Sequence, residues 1–139
     1  PYTTLFRSAL LTVMSLSTST NAAHWVKINE TEKGLFEIDR DSLQYIDVEN
    51  PSRIFKGWSK LTLYKDLLED GLKAGDYAKS LQYFDCLNKR VKYVVYISYN
   101  EKKVVESIQH KNPEFQDVIP ESVGETILNS VCKIWEMKN

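Results

Sequence analysis

Histidine and cysteine are scarce in this chain, with two of each in 139 residues. His24 and His110 lie far apart, no HExxH occurs, and Cys86 and Cys132 lack the close pairing that zinc sites and redox motifs use. A metal centre is therefore not expected. The five glycines form neither GxGxxG nor GxxxxGK[ST], and no GxSxG marks a nucleophile elbow. Nucleotide and acyl-transfer chemistry lose their usual signatures, and no cofactor is expected. An excess of charge is missing too: 18 Lys+Arg against 19 Asp+Glu leave a net charge of -1. No global field recommends nucleic acid or an anionic membrane as partner. No apolar run is long enough to span a bilayer, so the mature chain is expected without a transmembrane segment.

What is present points to one small exported domain. With 42% hydrophobic and 12% aromatic residues the chain has enough apolar surface for one core. The first eight residues, PYTTLFRS, read as a translated sequencing adapter and are set aside. Residues 9–22 then read as the back half of a secretory signal peptide. Thr20 and Ala22 occupy the small-residue positions of a cleavage site, which starts the mature chain at Ala23, with Asn21/Ala23 as the neighbouring option. No cysteine near that site offers a lipobox. An even cysteine pair in an exported chain reads as a disulfide, two free thiols being the alternative.

Period-two alternation marks strands at His24–Asn29, Ile54–Tyr64 and Val91–Tyr99, and Leu35–Asp39, Lys79–Cys86 and Lys103–Ile108 read as their hairpin and meander partners. Turns fall at Glu32-Lys33-Gly34, Leu87-Asn88-Lys89 and Asn100-Glu101-Lys102, and Asn50-Pro51-Ser52 is a loop. In the Val91 strand, Val91, Tyr93, Val95, Ile97 and Tyr99 are expected on one side. Gly57 marks either a bulge or a close backbone approach. After Pro120 the period changes to that of a helix. Ser122 as N-cap and Glu125 three residues on form a capping box, and Val123, Ile127, Leu128, Val131, Cys132, Ile134 and Trp135 make an apolar stripe. The fold class expected is α+β: an antiparallel meander of about five to six strands packed on a C-terminal helix.

Carboxylates are the remaining source of chemistry. Glu37, Asp39 and Asp41 lie close in sequence, but solvated turn charges are the commoner use of such a cluster, and no enzyme is expected. Asp85 is read as a strand-end residue pairing with Arg90 or Lys89. Lys89, Arg90, Lys92, Lys102 and Lys103 gather around the meander turns and form a candidate basic rim, with solubilising edge lysines as the alternative.

The runs SLQYFDCLNKRVKYVVYISY and VIPESVGETILNSVCK, with FEIDRDSL and the Trp58 strand, resemble the surface-adhesin protein E family from Trp25 to Trp135. The motif residues are Trp25, Asp39, Ser42, Trp58, Tyr83, Asp85, Cys86, Pro120, Ser122, Gly124, Glu125 and Cys132. The resemblance implies a sheet on a C-terminal helix, a Cys86–Cys132 disulfide, and attachment to host matrix or plasma proteins. Every matched residue has the look of framework, so no binding residue is carried over.

The function expected is thus an exported, non-enzymatic module of residues 23–139 that holds a protein partner, in the periplasm or on the surface of a bacterium with an outer membrane. Pairing through an unpaired strand edge makes a homodimer a further expectation. The rival reading is a periplasmic envelope protein binding a small ligand or an envelope component, which a closed apolar pocket between sheet and helix distinguishes.

Overall fold

A computed structural model describes residues 22–46, 53–66 and 71–138. The expected leader up to Asn21, the Asn50-Pro51-Ser52 loop and residues 67–70 lie outside the described residues. The strands are β1 (Trp25–Glu30), β2 (Gly34–Asp39), β3 (Gln44–Tyr45), β4 (Ile54–Leu63), β5 (Tyr77–Asp85), β6 (Arg90–Asn100), β7 (Lys103–Gln109) and β8 (Gln116–Asp117). A 3-10 turn, Arg40–Ser42, follows β2, and one helix, α1 (Val123–Lys138), ends the chain.

All the strands join one antiparallel sheet in the order β1-β2-β4-β5-β6-β7, with β3 beside β4 and β8 beside β6. The six long strands are those expected from alternation and hairpin pairing. The sheet has eight because β3 and β8 have two residues each, too short to carry a period.

One face of the sheet carries the helix. Ile127, Leu128, Val131 and Ile134 of α1 meet Ile38, Leu43 and Phe84, and Ile38, Phe84, Leu128 and Val131 are wholly buried. Val123, expected in the apolar stripe, is half exposed, because the first turn of the helix overhangs the sheet beside an open cleft lined by Phe36, Leu61 and Leu63.

At the other end of the helix, Cys132 is joined to Cys86, one residue past β5, with the Cα atoms 6.0 Å apart. The bond closes a separation of 46 residues, which in the chain-entropy account is worth about 4 kcal/mol.

The helix start forms the capping box with a shift. Ser122 Oγ accepts from Glu125 N at 3.2 Å, but Glu125 Oε2 accepts from Glu121 N at 2.7 Å, one residue earlier than the cap itself. Glu121 has a φ of 60°, which turns its N–H toward the helix.

The register of β6 departs from simple alternation. Leu81 pairs with Val95 and Gln82 with Tyr93, so Val94 is an extra residue and a bulge. Val91 and Tyr93 therefore face the helix side, whereas Val95, Ile97 and Tyr99 face away, correcting the single face expected for all five. The ladder of β4 runs unbroken past Gly57, so Gly57 marks a close approach: a Cβ there would lie 2.7 Å from Leu43 Cδ2.

Candidate functional site

Among the described residues no helix packs on the second face of the sheet, and Phe115 covers only its Arg90–Lys92 end. Alternation places Trp25 of β1, Glu37 and Asp39 of β2, Lys56, Trp58 and Lys60 of β4, Tyr77, Lys79 and Tyr83 of β5, and Ile97 and Tyr99 of β6 on it. All are partly buried by one another. Lysine ammonium groups lie over ring faces here.

The geometry is a lattice of ammonium groups over rings. Lys60 Nζ stands 4.6 Å from the Trp25 ring centroid and 2.7 Å from Glu37 Oε2. Lys79 Nζ stands 5.6 Å from the centroids of Trp25 and Tyr99, and Tyr99 stacks on Tyr77 at 4.7 Å. One row further along the strands, Lys56 and Lys92 flank Tyr83 at 5.9 and 4.5 Å, and Phe115 covers Lys92 at 4.6 Å. A depression of about 370 Å³ opens among Trp25, Trp58, Lys79 and Tyr99.

The second exposed feature is the β7 edge. Every residue of Lys103–Gln109 is exposed, including Val104, Val105 and Ile108. The strand pairs with β6 on one side, and in the sheet order nothing follows it. A strand in that position presents unpaired backbone N–H and C=O groups.

The basic rim does not form one patch. Arg90 and Lys92 sit at the start of β6, with Lys89 just before it, and Lys102 and Lys103 beyond its far end, with the 11 residues of β6 between. Lys89 Nζ donates to Asn129 Oδ1 on α1. Arg90 donates to the wholly buried Asp85 at 2.8 Å. Burial alone would push the Asp85 carboxyl up, but the Asn88 backbone N–H, the Asn88 amide and the Arg90 guanidinium together hold it below its ordinary value.

The other motif residues brace the fold. Asp39 Oδ1 accepts from His24 N at 3.0 Å and from Asp41 N at 3.2 Å. Ser42 Oγ donates to Asp39 O and accepts from Trp58 N, which ties the 3-10 turn to β4. Pro120 precedes the cap in an exposed turn, and Gly124 lies in the first turn of α1. Glu37 pairs with Lys60, and Asp41 is exposed, 4.0 Å from His24 Nδ1. Among the described residues no three His, Cys, Asp or Glu side chains are grouped to hold a metal ion.

Between sheet and helix the core residues pack together, with an open apolar cleft of about 400 Å³ at the start of α1 walled by Phe36, Leu61, Leu63 and Val123. A cleft of about 570 Å³ beside the disulfide, walled by Tyr45, Phe55 and Trp135, opens to solvent. No helix among the described residues is long and apolar enough to cross a membrane.

Sequence reading placed most lysines of the open face in strands but did not group them with the rings, because they come from separate strands, and it left out Tyr77 and Phe115. The available signal was β4, whose two faces both mix polar and apolar residues.

No curated protein matches the sequence. Among solved structures, a crystal form of Haemophilus influenzae protein E is 14% identical and superposes with a TM-score of 0.55 over 81% of this chain and 89% of that one. A second, protein E from non-typeable Haemophilus influenzae, is 13% identical with a TM-score of 0.47, over 82% of this chain and 76% of that one. The first likeness is one of fold. The profile of the surface-adhesin protein E family matches residues 25–133. That match covers most of the chain and includes the disulfide and the cap of α1, and the chain belongs to the surface-adhesin protein E family.

Proposed function

We propose that this chain is an exported, non-enzymatic adhesive module that holds an extended segment of a host matrix or plasma protein along β7. The observation that carries the reading is the fully exposed strand with Val104 at 59%, Val105 at 51% and Ile108 at 40% exposure. Backbone groups of an edge strand supply affinity to an added strand, and alternate side chains supply selectivity. The other outer strand, β1, is a poorer template because Trp25, Val26, Ile28 and Asn29 are partly buried and the strand adjoins α1. Membership of a surface-adhesin family supports a protein partner.

The test is solid-phase binding of residues 23–139 to a panel of matrix and plasma proteins, comparing the parent with a Val105→Lys/Ile108→Lys variant. Because both side chains are exposed, folding is unchanged and binding falls about tenfold or more. A variant that binds as well as its parent, or a parent that binds nothing in the panel, overturns the reading. Protease shaving of intact cells, with the chain carried behind a complete signal peptide, tests display. Digestion supports an adhesin, and protection makes it a periplasmic module.

A further inference from the structure

We propose that the open face of the sheet, away from β7, is a binding site for an anionic polysaccharide, with lysines taking its carboxylate or sulfate groups and aromatic rings taking the sugar faces. The proposal is independent of the β7 reading and concerns a different surface.

Three observations carry it. First, Lys56, Lys79 and Lys92 have ring faces as neighbours, and among the described residues no carboxylate lies within salt-bridge distance of any of them. An ammonium over a ring keeps N–H donors free for an anion, because the ring takes the charge and not the hydrogen bonds. Second, Lys60 and Lys79 stand directly opposite each other across β4 and β5. Like charges in that relation cost stability. Glu37 offsets one of them, and the other is left for a ligand. Third, the arrangement has a repeat. The Lys56–Tyr83–Lys92 row and the Lys60–Lys79 row are four residues apart along the strands, about 13 Å, with Trp58 and Leu81 between them. A polymer carrying anions along its length can meet both rows while a sugar ring between them lies on Trp58.

The occupant follows from the charge balance and from the surface offered. Lys56, Lys79 and Lys92 lack an ion-pair partner among the described residues, so the ligand is anionic; of the carboxylates on the face, Glu37 is paired with Lys60, Asp85 with Arg90 and Glu30 with Lys27, while Asp39, at the wall of the depression, accepts from the His24 and Asp41 backbone N–H groups. The middle of a sheet face offers side chains and no free backbone groups, which suits a chain of rings better than an acidic polypeptide seeking backbone pairing. The depression of about 370 Å³ among Trp25, Trp58 and Tyr99 has room to seat a pyranose ring.

The experiment measures binding of residues 23–139 to heparin as the probe, by calorimetry and by salt elution from a heparin column. Neutral dextran, polyglutamate and a single-stranded oligonucleotide are the comparison ligands. A Lys56→Gln/Lys79→Gln/Lys92→Gln variant is set beside a Lys89→Gln/Lys102→Gln/Lys103→Gln variant with the same change in net charge. The expected result is parent binding to heparin that weakens with salt, about tenfold loss in the first variant, and less than about twofold loss in the second. Equal losses in the two variants, absence of heparin binding by the parent, or polyglutamate or oligonucleotide bound as tightly as heparin each overturn the proposal. Thermal melts of both variants check folding, and if the first fails to fold, the single Lys92→Gln and Lys79→Gln variants replace it, each expected to elute at lower salt than the parent.

Discussion

Cys86, just past the end of β5, is bonded to Cys132 on α1, so the strand at the centre of the sheet and the helix that covers it are one covalent unit. The bond acts on the unfolded chain by closing a long loop. Cys132→Ser is therefore expected to lower stability by about 4 kcal/mol in oxidised protein, less any strain relieved, and by little under reductant. Urea melts with and without dithiothreitol measure this. An equal loss in both conditions would mean that Cys132 matters for packing and not for the cross-link.

Asp85 makes acid the second sensitivity. Its carboxyl is held below the ordinary value of about 3.9 in the folded chain, so between the two values the unfolded chain binds more protons and stability rises with pH. The contribution is complete above the ordinary carboxylate range and is lost as pH falls through the folded value. Asp85→Asn is expected to be less stable than the parent near neutrality, by about 1–2 kcal/mol, since Asn88 and the partly exposed Arg90 lose an ionised acceptor. Melts between about pH 2 and pH 6 should show the two proteins converging as pH falls. A constant difference across that range would remove Asp85 from the acid response.

The β6–β7 turn stores strain. Glu101 and Lys102 have φ values of 48° and 67°, the left-handed pair that two-residue hairpin turns require and that glycine and asparagine adopt at least cost. Asp76, from the loop before β5, accepts from Glu101 N at 3.2 Å and helps hold the turn. Replacing Glu101-Lys102 by Asn-Gly is expected to raise the melting midpoint, by about 1 kcal/mol in stability. A fall would show that the native side chains contribute more than the backbone strain costs.

Gly34 sits where β2 passes close to β4. A Cβ there would lie 2.6 Å from Thr62 O, a backbone atom that cannot swing aside. Gly34→Ala is expected to destabilise by about 1–3 kcal/mol through displacement of one strand from the other. Gly124→Ala, in the first turn of α1 with 3.4 Å of clearance to Ser122 Oγ, is the control and is expected to be neutral or stabilising. Similar losses at both positions would argue against the close approach.

Ser122→Ala removes the acceptor for Glu125 N and is expected to cost about 1 kcal/mol, read from thermal melts. Glu125→Ala removes the bond to Glu121 N, and a smaller loss there fits its exposed surroundings.

By itself the sequence determined the features that arise between near neighbours. Three of the long strands show as period two and the other three as their partners across short turns, the helix shows as a change of period after Pro120, and its start as Ser122 and Glu125. The cysteine pair reads as a disulfide from its even count together with the expected leader, and the structure joins the two. Tertiary structure decided what depends on register. The Val94 bulge is defined by β5 and not by β6 alone, so alternation could not show that Tyr93 and Val95 point to opposite faces. The two-residue strands exist only because β4 and β6 hold them. The lysine and ring lattice draws on residues from Trp25 to Phe115, far apart in the chain and neighbours only across the sheet. Backbone period is a local property, whereas the company a side chain keeps on a sheet is set by cross-strand pairing.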